Sequence, residues 1–193
     1  DYSTQNSLTF ERLITASSKF SISIYEKSYQ KAPVHKDEKS KIQDLSFLMD
    51  RFQILGDLTS DGTAKASANE YLIEKKRAEK FNGHIGGTLF NATHKDLNGD
   101  TRNRDYNYRY IFNIVGGYRP KEKWEISVRW SLFGGKPYTP IDELLSSKLG
   151  YEVLFEDQNN EKKTPVYHSL FIRYDYRKNY GFGNLLGYME LWN

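Results

Sequence analysis

The sequence contains no cysteine among its 193 residues. It therefore forms no disulfide, offers no thiolate to a metal ion and has no cysteine nucleophile. This excludes disulfide-stabilised scaffolds, thiolate metal sites and cysteine-dependent enzymes. The absence leaves the compartment undecided, because an oxidising compartment does not require cysteine.

Long apolar runs are also missing. A transmembrane helix needs about 20 consecutive, mostly apolar residues, and no segment approaches that length. This excludes a helical membrane protein, whereas a transmembrane β-barrel stays compatible because its strands are only half apolar. The first ten residues, DYSTQNSLTF, lack the basic and apolar regions of a signal peptide, so we expect none there.

Neither sign of charge dominates, since 28 basic and 25 acidic residues are intermixed along the chain. No basic stripe of the kind found in nucleic-acid binders occurs, so we expect no nucleic-acid partner. No nucleophile, phosphate-binding or dinucleotide-binding motif is present, and His35, His84, His94 and His168 lack metal-ligand spacing. We therefore expect no enzyme activity, no cofactor and no metal site.

One segment, DLNGD at Asp96–Asp100, begins like a calcium-binding loop, with oxygen donors at alternate positions. Such a loop needs glycine at its sixth position and glutamate at its twelfth, where this chain has Thr101 and Asn107. We interpret the segment as a polar hairpin loop.

Aromatic residues, by contrast, are abundant: 15 Tyr, 11 Phe and 3 Trp. They fall at alternating positions, which is typical of strands with one apolar face. The clearest strands are expected from Tyr106 to Tyr118, from Trp124 to Leu132 and from Val166 to Arg177. Weaker alternation predicts five more strands, at residues 8–14, 20–27, 63–75, 81–93 and 185–193. No helix is predicted.

The connections between these eight strands alternate in length. Short turns are expected near residues 15–19, 76–80, 119–123 and 179–183, and long polar loops at about 28–62, 94–105 and 134–164. This alternation is typical of outer-membrane barrels, whose periplasmic turns are short and whose extracellular loops are long. The pattern therefore predicts an all-β fold: an antiparallel, up-and-down transmembrane β-barrel segment of about eight strands.

With the short turns in the periplasm, both ends of the chain would be extracellular, whereas a complete bacterial barrel has both in the periplasm. We therefore expect residues 1–193 to be a fragment of a larger barrel, lacking its earlier strands and its final strand.

Charged residues share the face opposite the aromatic residues. An arginine on a lipid-facing surface costs about 2–4 kcal/mol at the bilayer midplane, so these charges are expected to line a wet lumen. Glu26, which shares the parity of Ile22 and Ile24, is expected at or beyond the outer interface. The lumen-facing residues that we single out as ligand-binding candidates are Arg109, Glu125, Arg129, Arg173 and Asp175.

Alternation by itself also fits other proteins. A complete eight-stranded outer-membrane barrel, serving as an adhesin or structural protein, matches the length. A soluble β-barrel that binds a small apolar ligand, or a β-sandwich, would alternate in the same way. An outer-membrane hydrolase has no catalytic constellation to support it.

Several segments resemble stretches of a known group of barrel proteins. The stretch from Phe112 to Pro140 resembles two paired strands of those barrels followed by a G-x-P-Y-T-P sequence. Ser67–Lys76 is similar to their Y-G-x-E strand, with Ala68 in place of glycine. Val166–Arg177 resembles Y-H-R-L-D-L-R, and Tyr188–Asn193 resembles the penultimate strand. Together these segments resemble the C-terminal barrel region of TonB-dependent outer-membrane receptors.

The resemblance implies a 22-stranded barrel with a plugged lumen. It also implies uptake of a scarce ligand, of the siderophore, cobalamin or glycan class, driven through the TonB system. The expected location is the outer membrane of a Gram-negative cell, and the expected partners are outer-membrane lipid, an unidentified small ligand and the TonB system. The last would act through a plug domain that these 193 residues do not contain.

Overall fold

The structure, a computed structural model, describes residues 2–36, 58–78 and 80–193. Within these ranges, nearly every residue outside the connections belongs to antiparallel strands. The strands are β1 (Tyr2–Thr15), β2 (Ser18–His35), β3 (Leu58–Ala78), β4 (Phe81–Lys95), β5 (Thr101–Asn103), β6 (Tyr110–Lys121), β7 (Trp124–Phe133), β8 (Pro137–Tyr138), β9 (Lys162–Lys163), β10 (Tyr167–Tyr180) and β11 (Gly183–Trp192).

Eight long strands form one sheet in the order β1-β2-β3-β4-β6-β7-β10-β11, and β5 pairs beside the end of β4. Each long strand therefore pairs with the long strands that precede and follow it in the chain. The short strands β5, β8 and β9 lie in two of the connecting loops. The predicted all-β meander of eight strands is confirmed. Short turns join β1 to β2, β3 to β4, β6 to β7 and β10 to β11, all at one end of the sheet. Within the described residues, no helix is long and apolar enough to cross a membrane.

The expectation of no helix is wrong in one place. Helix α1 (Glu143–Leu149) lies in the long connection between β7 and β10, followed by a 3₁₀ turn at Glu156–Gln158. Asp142 caps the helix N-terminus, its carboxylate accepting a hydrogen bond from the Leu145 N–H at 2.9 Å. Gly150 ends the helix with a left-handed φ of 78°. These two capping residues are sequence signals that strand periodicity does not detect.

The strand predicted from Tyr106 begins instead at Tyr110. Tyr106 and Arg109 have φ angles of 63° and 72°, which lie in the left-handed region and break the extended backbone. Asn107 is completely buried, and its side chain binds the backbone N–H of Ala92. The alternation of Tyr106 with Tyr108 therefore belongs to a folded loop.

Strands β2 and β3 extend well into the long loop predicted at residues 28–62. The extension contains two register shifts, at Lys31 and near Gly62. A Cβ atom at Gly62 would lie 2.2 Å from the Val34 side chain, so only glycine permits the close pairing there. The predicted strand ends are corrected accordingly, and residues 37–57 of that loop lie outside the described residues.

The register places every apolar stripe on the same side of the sheet. Ile24 lies opposite Leu8, Ile85 lies opposite Ile73 and Ile114, and Val128 lies opposite Gly116 and Ile172. We call this side the apolar face and the other side the polar face. The large side chains of the apolar face are Leu8, Phe10, Phe20, Ile22, Ile24, Tyr71, Ile73, Phe81, Ile85, Leu89, Tyr110, Phe112, Ile114, Tyr118, Trp124, Ile126, Val128, Trp130, Leu132, Leu170, Ile172, Tyr174, Tyr176, Leu185, Met189 and Leu191.

A row of polar residues crosses the apolar face in β1 to β4. Glu26 lies opposite Asn6 and Ser67, and Ser67 lies opposite Asn91. The apolar band ends at this row in these strands, although β2 and β3 continue for several residues beyond it. Glu26 is a charged residue at a position where the strand alternation predicts an apolar one. The structure places it at the border of the apolar band.

Candidate functional site

The two faces differ in how much protein covers them. On the polar face, Ser21, Ala64, Ala68 and Asp175 are all less than 9% exposed. On the apolar face, Leu8, Phe10, Ile24, Ile85 and Met189 are all at least half exposed. The described residues place no second layer against the apolar face. The polar face is therefore the enclosed side of the sheet and the apolar face the outer one.

The polar face of β7, β10 and β11 carries a charge cluster, which we define as Glu125, Arg173, Asp175, Arg177 and Glu190. Arg173 lies at its centre. Its Nε and Nη2 atoms donate to the two oxygens of Asp175 at 2.9 and 2.8 Å, and its Nη1 atom donates to Glu190 at 2.9 Å. The Arg173 guanidinium also lies 4.4 Å from the centre of the Tyr188 ring.

Strand pairing explains why these charges meet. Asp175 lies directly opposite Glu125, and Arg173 lies directly opposite Glu190. Two carboxylates at opposite positions repel each other, and the cluster offsets this repulsion because Arg177 forms a 3.0 Å ion pair with Glu125. Three predicted candidates, Glu125, Arg173 and Asp175, are thus brought together.

Arg177 and Glu190 were not among the candidates, although the same alternation places both on the polar face. What the sequence did not indicate is their pairing, because Glu190 is 17 residues from Arg173 along the chain.

Arg129 lies on the same face but outside the ion pairs. Its guanidinium lies 5.1 Å from the centre of the Phe171 ring, and its side chain is exposed. Among the described residues it has no carboxylate partner. Of the predicted candidates on this face, Arg129 is therefore the cation whose hydrogen-bonding groups are most available to a ligand.

Arg109 is placed differently from its prediction. It precedes β6 in a bend, and its Nη1 atom donates to the Asn91 side chain at 2.6 Å. Asn91 belongs to the polar row at the border of the apolar face. Arg109 therefore does not share the polar face with Glu125, Arg129, Arg173 and Asp175, because the left-handed backbone at this residue interrupts the strand alternation.

The long connections dock against each other at the end of the sheet opposite the short turns. We call residues 96–109 the β4–β6 loop and residues 134–166 the β7–β10 loop. Arg102 joins them, since its Nε atom donates to Asp96 at 2.8 Å and its Nη1 atom donates to the Asp157 carbonyl at 2.6 Å. Asn160, nearly buried, adds hydrogen bonds to the Asn103 carbonyl and to Asp105.

Asp96 organises the DLNGD segment. Its carboxylate accepts the backbone N–H groups of Asn98 and Asp100 and the Nε–H of Arg102. Burial by itself raises the pKa of this carboxyl. The hydrogen bonds from Arg102 and from the two backbone N–H groups lower the pKa by a larger amount, so the net pKa lies below its ordinary value. The oxygens that a calcium loop would direct at a metal are thus used to fold the hairpin.

A hollow of about 800 Å³ opens at the long-loop end of β1 to β4. Its lining includes Tyr29, Lys31, Asp61 and the buried His94. The Tyr29 ring is flanked by the side chains of Lys27 at 4.9 Å and Arg104 at 5.3 Å. Ligand pockets are typically about 300–1,000 Å³, so the hollow has the size of a small-molecule site. None of these residues was a sequence candidate, because β2 and β3 were not expected to extend this far.

No known family model matches the sequence. No curated protein matches it significantly either. Among solved structures, the chain is similar to the ferric-catecholate import receptor Fiu of Escherichia coli K12 in its closed form, with a TM-score of 0.58 and 12% sequence identity. The likeness is one of fold. It covers 91% of this chain but only 22% of the receptor, so the chain corresponds in fold to about a fifth of that protein.

Proposed function

We propose that residues 1–193 are a segment of the wall of an outer-membrane receptor barrel. The observation that carries the proposal is the arrangement of the two faces: a continuous apolar face that no other layer covers, and an enclosed face with paired charges. A soluble barrel or sandwich would bury its apolar face instead. The apolar stripe of β7, from Trp124 to Leu132, spans about 27 Å along the strand, which suits the tilted strands and roughly 25 Å apolar band of such barrels.

The orientation follows from the connections. Short turns in outer-membrane barrels face the periplasm and longer loops face the exterior. We therefore place the four short turns in the periplasm, and the docked β4–β6 and β7–β10 loops on the cell surface of a Gram-negative organism.

The edges of the sheet support a larger barrel over a complete eight-stranded one. A closed barrel needs β1 to pair with β11, and the described residues contain no such pair. Both edge strands are long and contain no proline, so each can pair with a further strand.

The proposed activity is non-enzymatic import of a small ligand, with energy from the TonB system. The hollow at Tyr29 and His94 and the available cation at Arg129 support a ligand with polar or anionic groups. The resemblance to TonB-dependent receptors supports the siderophore, cobalamin or glycan class, and supports coupling through a plug domain outside these residues.

The absence of cysteine permits a direct test of the topology. Lys148→Cys places a thiol on helix α1 in the β7–β10 loop, and Lys121→Cys places one at the end of β6 beside a short turn. We expect a membrane-impermeant maleimide to label Lys148→Cys on intact cells and to label Lys121→Cys only after the outer membrane is permeabilised.

The cysteine-free parent serves as the control for background labelling. Recovery of the protein in the soluble fraction would overturn the membrane proposal. Labelling of Lys121→Cys, but not of Lys148→Cys, on intact cells would show that the orientation is inverted.

A further inference from the structure

The four short turns, taken with the strand ends beside them, are strongly basic compared with the rest of the chain. Residues 15–19, 75–80, 119–123 and 177–183 contain ten of the 28 basic residues and only two of the 25 acidic ones. They carry a formal charge of +8 in a chain whose net charge is +3, so the remainder is −5. The excess positive charge of this protein is therefore concentrated at the short-turn end of the sheet.

Much of this positive charge is not neutralised within the protein. Lys19 is paired with Glu11, and Arg177 is paired with Glu125. Five lysines at the short-turn end are exposed and have no ion-pair partner among the described residues: Lys75, Lys76, Lys80, Lys121 and Lys123.

The order of side chains on the apolar face changes towards this end. In β10 the stripe runs from Ile172 through Tyr174 and Tyr176 to Lys178. In β3 it runs from Ile73 to Lys75. In β10, apolar, aromatic and cationic side chains thus follow one another, as do the hydrocarbon, interface and headgroup layers of a lipid leaflet.

The aromatic residues form a belt beside the basic turns. Trp124 contacts Tyr174 and Tyr176, with ring centres 5.4 and 5.0 Å apart. Phe81 and Tyr118 stack at 4.5 Å on the neighbouring pair of strands. Aromatic belts mark the depth at which a barrel leaves the hydrocarbon, so the lysines beyond the belt lie at the depth of lipid phosphates.

The opposite border of the apolar face has a different character. The polar row of β1 to β4 contains Asn6, Glu26, Ser67 and Asn91, and the cation that contacts it, Arg109, donates to Asn91.

We propose that the short-turn end is a binding surface for anionic phospholipid in the periplasmic leaflet, with Lys75, Lys121 and Lys123 contacting the phosphates. This inference rests on the proposed membrane-spanning function. Cations near an anionic membrane surface each strengthen the attraction, and the protein would consequently gather phosphatidylglycerol from a mixture with zwitterionic lipid.

The test uses the protein purified from the outer membrane and reconstituted into nanodiscs of equal phosphatidylglycerol and phosphatidylethanolamine. Native mass spectrometry measures which lipid remains bound after the disc is removed. We expect the parent protein to retain phosphatidylglycerol in preference to phosphatidylethanolamine. In a Lys75→Gln, Lys121→Gln, Lys123→Gln triple variant, we expect the ratio of the two retained lipids to fall roughly tenfold. The matched control, Lys148→Gln, Lys162→Gln, Lys163→Gln, removes the same charge at the other end and should keep the preference.

Three results would overturn the inference. The first is equal retention of both lipids by the parent protein, and the second is a loss of preference in the control variant but not in the short-turn variant. The third is preferential capture of added lipopolysaccharide by the same three lysines. Failure of the parent protein to reach the outer membrane would refute the proposed function as well. Normal membrane location without lipid preference would refute this inference alone.

Discussion

At the scale of single residues, the side of the sheet decides what a substitution does. Val128 and Ser127 are neighbours in β7, yet Val128 lies between Gly116 and Ile172 on the apolar face and Ser127 lies between Gly117 and Arg173 on the polar face. The two positions have the same depth in the proposed membrane. They differ only in the medium that their side chains would meet.

We predict that Val128→Arg impairs membrane insertion and that Ser127→Arg does not. A guanidinium on the lipid side costs about 2–4 kcal/mol near the midplane. At Ser127 the new arginine would meet a wet face, where Arg173 is already neutralised by Asp175 and Glu190. Urea-resistant membrane association measures the difference, and equal losses for the two variants would contradict the assignment of faces.

The charge cluster gives a second prediction at this scale. Arg173→Met leaves the buried Asp175 carboxylate without its bidentate partner, so we expect the melting temperature to fall by a few degrees. Arg129→Met, which removes an exposed cation that makes no ion pair, should leave it unchanged. Asp175→Asn in the Arg173→Met background should recover part of the loss. A greater loss from Arg129→Met would show that the cluster does not stabilise the sheet.

At the scale of elements, the long connections behave as folded units. The β7–β10 loop contains the capped helix α1 and the β8–β9 ribbon, in which Lys136 and Thr164 are joined by a backbone hydrogen bond of 2.9 Å. The β4–β6 loop is folded around Asp96. Arg102 connects the two, with only 11% of its side chain exposed, so the position of one loop depends on the other.

This connection predicts a dependence on pH. The pKa of Asp96 is lower in the folded loop than its ordinary value of 3.8. The stability that the Asp96 carboxylate gives to the docked loops is therefore fully present above pH 3.8. It is lost as the pH falls below that value, because protonation removes the negative acceptor for Arg102. Nitroxide labels at Lys95→Cys and Lys148→Cys should give a narrow distance distribution at about pH 6 and one that broadens as the pH is lowered below 3.8.

Asp96→Asn provides the control for this experiment, because its amide has no charge at any pH. We expect its distance distribution to be broad already at the higher pH. A distribution that stays narrow in acid for the parent protein would show that Asp96 does not hold the loops together.

At the scale of the whole molecule, the sheet is open. The edge strands β1 and β11 have pairing groups on one side that the described residues do not use. Almost all of β11 and the whole of β1 are exposed. A membrane sheet with open edges satisfies its backbone only by pairing with more strands.

We therefore predict that the 193-residue chain, refolded alone in detergent, associates through its edges. Sedimentation velocity should show species larger than the monomer. A closed eight-stranded barrel of similar size, measured in the same detergent, should remain monomeric. A monodisperse monomer with full strand content would favour the small complete barrel.

Much of this fold was predictable, because strand alternation is a local property. The central β7 and β10 strands, their shared apolar face and the positions of the short turns follow from the spacing of residues such as Trp124, Ile126 and Val128. Four of the five site candidates lie on the polar face for the same reason. Arg109 does not, since its left-handed backbone is imposed by the folded β4–β6 loop.

The sequence by itself determined the strand period, the two faces and the basic character of the short turns, because each depends on residues near one another in the chain. Only the tertiary structure decided which distant charges meet, as Arg173 meets Glu190, and how the two long loops dock through Arg102. These features depend on strand register, which sums many weak contacts over the whole chain and leaves no mark at any single position.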